Sequence, residues 1–395
     1  MEPKTDHRLQ LLAHDELSAR TARLLDAMHA TGTDGIVVSD NADIYYLTGR
    51  VFCGYIYLHC DGRMRCYLRR PNHLRGDSVV EIRKPEDMTA DIMATFAPAS
   101  VGLEEDALPY SMAMRLRATL PAGASASPML RAARAVKTPA EIEQMRRSGI
   151  AQAEVYSRIP HLYAEGMSDI ELQIEIERAL RLHGCLGIFR IAGQSMELHM
   201  GNVLTGANAD TPSPYDFAMG GAGLDPSIPV GADGTVIRPG LPVMVDMNGN
   251  FTGYMTDMTR CYCLGEPVAE AVKLNDLSRD ICGAVARAAV PGAAARDLYA
   301  LALDMAAEAG YADSFMGHRY HAGFVGHGIG IEVNELPVLA PRSRDILAEG
   351  MTFACEPKFV VPGIGAVGIE NTYVVRASGE AECITRAPEQ ITLLR

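Results

Sequence analysis

The stretch "VMVDMNGNFTGYMTDMTR", Val243 to Arg260, decides how this chain reads. Two apolar arms flank a Gly- and Asn-containing centre, the pattern of a hairpin with a buried face. Each arm carries an aspartate, Asp246 and Asp257, eleven positions apart. An ionised carboxylate in an apolar core loses several kcal/mol of hydration unless something pairs with it, and two together are worse. Either the pair faces water at the hairpin ends, or a cation sits between them.

Three more polar residues occupy similar settings. His327 lies in "GHGIG", where glycines allow backbone or ligand to come close on both sides. Glu356 in "FACEPKFVV" and Glu370 in "AVGIENTYVV" are carboxylates inside apolar strands. One such residue is explained by a salt bridge or by facing solvent; four acids and a Gly-flanked histidine strain that account. Four carboxylates and one imidazole suit two divalent ions with an open position for water. Two close ions acidify water and clamp a tetrahedral intermediate. Without them the carboxylates repel and raise each other's pKa values.

The rest of the chain reads as an ordinary soluble globular protein. Its 395 residues allow two domains, and 48% hydrophobic against 22% charged residues indicates a substantial core. A formal charge of −13 with no basic stripe argues against nucleic-acid binding. No apolar run is long enough to span a membrane, and the first thirty residues lack a secretory pattern. The nine scattered cysteines read as reduced thiols, so the expected location is cytoplasmic.

A helix is predicted over Ser18–Ala30, followed by the β-prone runs "GIVVSD", "IYYLTG", "YIYLHCDGRMRCYLRR", "SVVEIRK" and "SVGLEED". A helix at Tyr110–Leu120 then leads into "LPAGASASP", a loop-forming stretch that marks a domain boundary near residue 128. Capping boxes at Thr138/Glu141 and Ser168/Glu171 start the next two helices, and Gly184 stops the second. The Gly-rich Gly201–Gly234 reads as functional loops. Helices near Pro267–Ala289 and Ala294–Ala309 and the strands "MTFACEPKFVV" and "AVGIENTYVVR" complete an α/β (α+β) chain.

These motifs, with "GHGIGIEVNELP", "ACEPKFV" and "GIENTYVV", resemble the pita-bread metallohydrolases: Xaa-Pro dipeptidase, aminopeptidase P, methionine aminopeptidase and creatinase. The resemblance implies a creatinase-like accessory domain over 1–128 and a pita-bread catalytic domain over 129–395. It implies that Asp246 chelates one ion, that Asp257 and Glu370 bridge, and that His327 and Glu356 hold the other. Two divalent ions per chain, Mn before Co, Fe or Zn, would bridge a hydroxide, with Glu356 as proton shuttle and His327 beside it. A homodimer is implied by the same likeness.

Departures from the family pattern fall around the substrate. Asn334 stands seven residues after His327 where a histidine is usual, and Gly323 stands four before it. No histidine occurs in "TGANADTPSPYDFAMGGAGLDPS", and Gly368 replaces a common arginine. Candidate substitutes for substrate binding are Asn334, His318, His321, Tyr215 and Asp216, whereas His199 and Tyr254 read as structural. The leading expectation is an Xaa-Pro aminopeptidase or dipeptidase. Alternatives are a metal-dependent hydrolase or lyase of a small non-peptide substrate, and a non-catalytic binding module.

Overall fold

The computed structural model describes residues 12–70, 74–193, 196–197 and 199–395. Among these the chain divides into two compact units, one ending at Arg134 and one running Ala135–Arg395.

The first unit is built on a five-stranded mixed sheet. Its order is Val79–Glu81, Met64–Leu68, Gly54–His59, Gly35–Val38 and Val101–Leu103, with the inner pairs antiparallel and both outer pairs parallel. The helix predicted over Ser18–Ala30 spans His14–Thr31. "IYYLTG", read as a strand, lies instead in the helix Asn41–Thr48. Asp40 caps that helix by accepting from the Ala42 N–H at 2.6 Å, and Gly49 closes it in the left-handed region at φ 68°. Start and stop signals at both ends outweigh the β preference of Ile and Tyr, which is weak wherever packing decides.

In the second unit both capping boxes form. Glu141 N–H donates to Thr138 Oγ1 at 3.1 Å while Thr138 N–H donates to Glu141 Oε2 at 2.7 Å, opening Pro139–Tyr156. Ser168 and Glu171 open Asp169–Leu182 in the same way. The two later helices run Ala269–Ala288 and Ala295–Glu308.

The hairpin is real and long. Pro242–Asn250 pairs antiparallel with Met255–Leu264, flanked by Gly201–Thr205 on one side and Thr392–Leu394 on the other. Both of its faces are covered, which accounts for its nearly continuous apolar sequence. Val243, Val245, Met247 and Tyr262 join one core cluster with Leu172 and Ile176 of a helix. Met244 and Cys261 point the other way, into a cluster with Leu274, Phe353, Phe359 and Val367. Strand alternation puts Asp246 and Asp257 on this second face.

Opposite lies a five-stranded sheet in the order Glu335–Leu339, Gly326–Gly328, Thr352–Cys355, Asn371–Val374 and Glu382–Cys383. The stretches "MTFACEPKFVV" and "AVGIENTYVVR", read as single strands, each break in two. Their outer halves, Lys358–Val361 and Gly365–Gly368, form a separate ribbon. Pro357 has no N–H for a ladder and helps end the first piece. Glu356 and Glu370 sit at these two breaks, where their side chains leave the ladder. No helix among the described residues is long and apolar enough to cross a membrane.

Candidate metal centre

Asp246 lies directly opposite Thr259 in the hairpin, and Asp257 is two residues before Thr259. The two aspartates are therefore diagonal neighbours on one face. His327 occupies the middle of a three-residue strand between two others, opposite Ala354 and Val338. Its flanking glycines are required: a Cβ on Gly326 would lie 2.2 Å from Ala354 O, and one on Gly328 would lie 2.2 Å from Leu336 C. Glu356 N–H is held by Val325 O at 2.9 Å and Glu370 N–H by Thr259 O at 3.1 Å. These anchors converge the five side chains. Donor atoms of Asp257, His327 and Glu370 lie within 4.8 Å of one another, and so do those of Asp246, Glu356 and Glu370.

Burial and crowding shape the electrostatics. Burial, then the charges of Asp246 and Glu356, raises the Asp257 carboxyl well above its ordinary value. Glu370 is raised in the same way, by burial and then by Asp257 and Glu356. His327 Nδ1 lies 3.1 Å from Gly328 O. A carbonyl can only accept, so Nδ1 donates there, and Nε2 is the ring nitrogen turned toward the carboxylates, the orientation of a ligating imidazole. Nε2 stands 3.5 Å from Glu356 Oε1.

Reasoning from the sequence missed a sixth participant. Lys358, fully buried, places Nζ 2.8 Å from Asp246 Oδ2, 2.6 Å from Glu356 Oε2 and 3.3 Å from Glu370 Oε2. Burial alone would lower its pKa, but Asp246, Glu356 and Glu370 outweigh that and hold the ammonium charged. The expectation that external cations alone make the crowding tolerable is corrected: part of the compensation is covalently attached. A signal was present, since a lysine two residues past Glu356 in an extended apolar run points to the same side.

The rest of the chain can now be set beside known proteins. Residues 143–377 match metallopeptidase family M24, and residues 20–136 match the creatinase/prolidase N-terminal domain. The first match alone covers more than half of the chain. The chain belongs to metallopeptidase family M24. It is 26% identical over 376 residues to the uncharacterized peptidase YqhT of Bacillus subtilis, covering 92% of this chain and 96% of the relative. It is 24% identical over 373 residues to an Xaa-Pro dipeptidase of Pyrococcus horikoshii, with the same coverage of 92% and 96%. The solved Xaa-Pro dipeptidase from Bacillus anthracis superposes with a TM-score of 0.80 at 24% identity, covering 96% of this chain and all of that one (100%). That likeness shows a shared fold, the pita-bread architecture behind an accessory domain.

For a metallopeptidase, the test is whether these donors suit an ion. Glu370 Oε1 is buried with no hydrogen-bond partner, although Oε2 receives Thr259 Oγ1 at 2.7 Å and Lys358. An orphaned carboxylate oxygen beside Asp257 and His327 Nε2 fits a divalent ion.

The cluster opens into a cavity of about 370 Å³ lined by Asp246, Asp257, His327 and Glu356. Asn334 and Asp216 line it too, as do Asn202 and Asn248, which sequence reasoning passed over. Asn202 and Asn248 stand opposite Asp246 and Asp257 in the ladder, and each has a buried Oδ1 without a partner. Asn334 spends its amide on the Ala192 backbone, donating to O at 2.6 Å and accepting from N–H at 2.7 Å. Tyr215 and His318 line a separate small recess. Tyr215 donates to Glu197 at 2.8 Å, and His318 Nδ1 lies 3.1 Å from Asp210. His321 lines neither space, and its Nδ1 meets Phe315 O at 2.8 Å.

Proposed function

We propose that the chain is a divalent-metal-dependent peptidase that removes the N-terminal residue of short peptides, with an Xaa–Pro-type bond as its target. The observation that carries this reading is the convergence of Asp257, His327 and the buried Glu370, the first two of which line a substrate-sized cavity. These three would hold the ion. A divalent ion there supplies Lewis-acid polarisation and acidified water. The relatives named Xaa-Pro dipeptidase support the bond type.

The chain's own groups supply the remainder. Glu356 Oε2 is fixed by Lys358, which leaves Oε1, on the His327 side, to take a proton from the attacking water and pass it to the leaving nitrogen. The unpartnered Oδ1 atoms of Asn202 and Asn248 are placed to accept from a substrate ammonium. Among the described lining residues none is Lys or Arg, while Asp216 adds negative charge. A wall of this kind suits a peptide amine, and its described residues offer no Lys or Arg side chain to a peptide carboxylate. That favours an aminopeptidase over a dipeptidase.

The test is metal-loaded enzyme assayed on Ala-Pro, Ala-Pro-amide and a longer Ala-Pro peptide. Comparable release of alanine from the free acid and the amide is expected. No cleavage of any of them overturns the peptidase reading. Asp257→Asn should lose metal and activity together, at least about 100-fold in metal affinity, measured by elemental analysis after dialysis. A second reading, hydrolysis of a small amide or cyclic amidine, is favoured by one feature. His327 is the sole histidine among the described lining residues, so no second imidazole is present to support an oxyanion. Turnover of such compounds in place of peptides would select it.

A further inference from the structure

Resting on the metal reading above, we infer that Lys358 is the resident second cation of this centre, so that the chain holds one divalent ion where two were expected. The two donor clusters are not equivalent. Lys358 Nζ contacts one oxygen from each of Asp246, Glu356 and Glu370, which are the members of the second cluster. An ammonium has three donors, and all three are matched by these carboxylates. A divalent ion bound by the same oxygens would need the space that Nζ fills, and the two positive charges would repel at close range in a buried site.

The first cluster differs. The ion pairs of Lys358 are with other residues than Asp257 and His327, and the Glu370 oxygen it leaves alone, Oε1, is the buried atom without a partner. Glu370 thus offers one oxygen to the lysine and one to an ion.

The lysine is built in and is not a surface side chain folded inward. It is fully buried, and the ribbon Lys358–Val361/Gly365–Gly368 sets it directly opposite Gly368. A Cβ on Gly368 would lie 2.9 Å from Lys358 Cα and 3.2 Å from Lys358 Cγ. The glycine clears the path by which the side chain reaches the carboxylates. With Lys358 in place, Asp246 serves the ammonium, and Asp257, His327 and Glu370 serve the ion.

The experiment is metal stoichiometry, read without any activity assay. Metal-stripped protein is titrated with Mn²⁺ in a calorimeter and checked by elemental analysis after gel filtration. Wild type should take one equivalent and Lys358→Met two. Asp246→Asn should keep the one equivalent that Asp257→Asn loses. Two equivalents in wild type overturn the inference and leave the metal reading standing, as does one equivalent in both wild type and Lys358→Met. No binding by either protein overturns the metal reading and this inference with it. Should Lys358→Met not fold, Lys358→Gln replaces it, and two equivalents in wild type remain decisive.

Discussion

Two buried lysines in the same unit meet acids in different ways. Lys137 Nζ pairs with Glu335 Oε2 at 2.8 Å, and Glu335 Oε1 accepts from the Ile331 and Glu332 N–H groups at 3.0 and 3.1 Å. There the lysine answers a carboxylate whose other oxygen is already held by backbone. Lys358 faces three carboxylates, with Asp257 close enough to feel its charge as well. A buried pair already risks costing more in desolvation than it returns, so structure alone gives no reason to add acids around one ammonium. The surplus of negative charge at Lys358 separates a binding centre from a structural pair.

The comparison is tested most severely by Lys137→Met. Leaving Glu335 without its lysine should cost about 3–5 kcal/mol of stability, measured by urea denaturation. Added Mn²⁺ should restore none of it, because Glu335 belongs to neither donor cluster found among the described residues. Restoration by Mn²⁺ would erase the distinction between the two lysines.

An intermediate effect is expected from pH. The folded state raises the carboxyls of Asp257 and Glu370 above their unfolded values, so it binds protons more readily than the unfolded chain. Their contribution to stability is complete below the ordinary carboxylate range and is lost as pH rises through their folded values. The loss is about 1.4 kcal/mol for each tenfold difference in proton affinity between the folded and unfolded states. Metal-stripped protein should therefore lose stability from these groups on going from about pH 5 to pH 8, and saturating Mn²⁺ should reduce the loss. Denaturation midpoints in chelator and in Mn²⁺ at the two pH values check this. A stripped protein that gains stability over that range contradicts it.

The smallest effect belongs to Asn334→His. Its exposed amide makes two hydrogen bonds to Ala192, so replacement should cost about 1 kcal/mol and leave the metal content of the centre unchanged. A drop in bound Mn²⁺ would place Asn334 closer to the ion than its position on the cavity wall indicates.

Much of this was legible in one dimension, because it depends on neighbours in sequence. The capping boxes at Thr138 and Ser168, the hairpin of Val243–Arg260 and the glycines around His327 are local arrangements whose energetics are set within a few residues. The five convergent donors were legible as anomalies, acids and an imidazole in apolar runs, since burying charge is costly wherever it happens. Local signals also misled where they competed. "IYYLTG" has strand-forming side chains, yet Asp40 and Gly49 bound a helix.

The tertiary structure alone decided which charges meet. Asp246 on the hairpin, Glu356 with Lys358, and Glu370 come from three separate stretches of chain, and only the pairing of Lys358 with Gly368 shows how the ammonium reaches between them. It likewise separated Asn334 and Asp216, on the cavity wall, from Tyr215 and His318 in another recess. Sequence determines that a residue must be compensated; the folded chain determines by whom, because Coulomb energies depend on distances of a few ångströms that no residue spacing encodes.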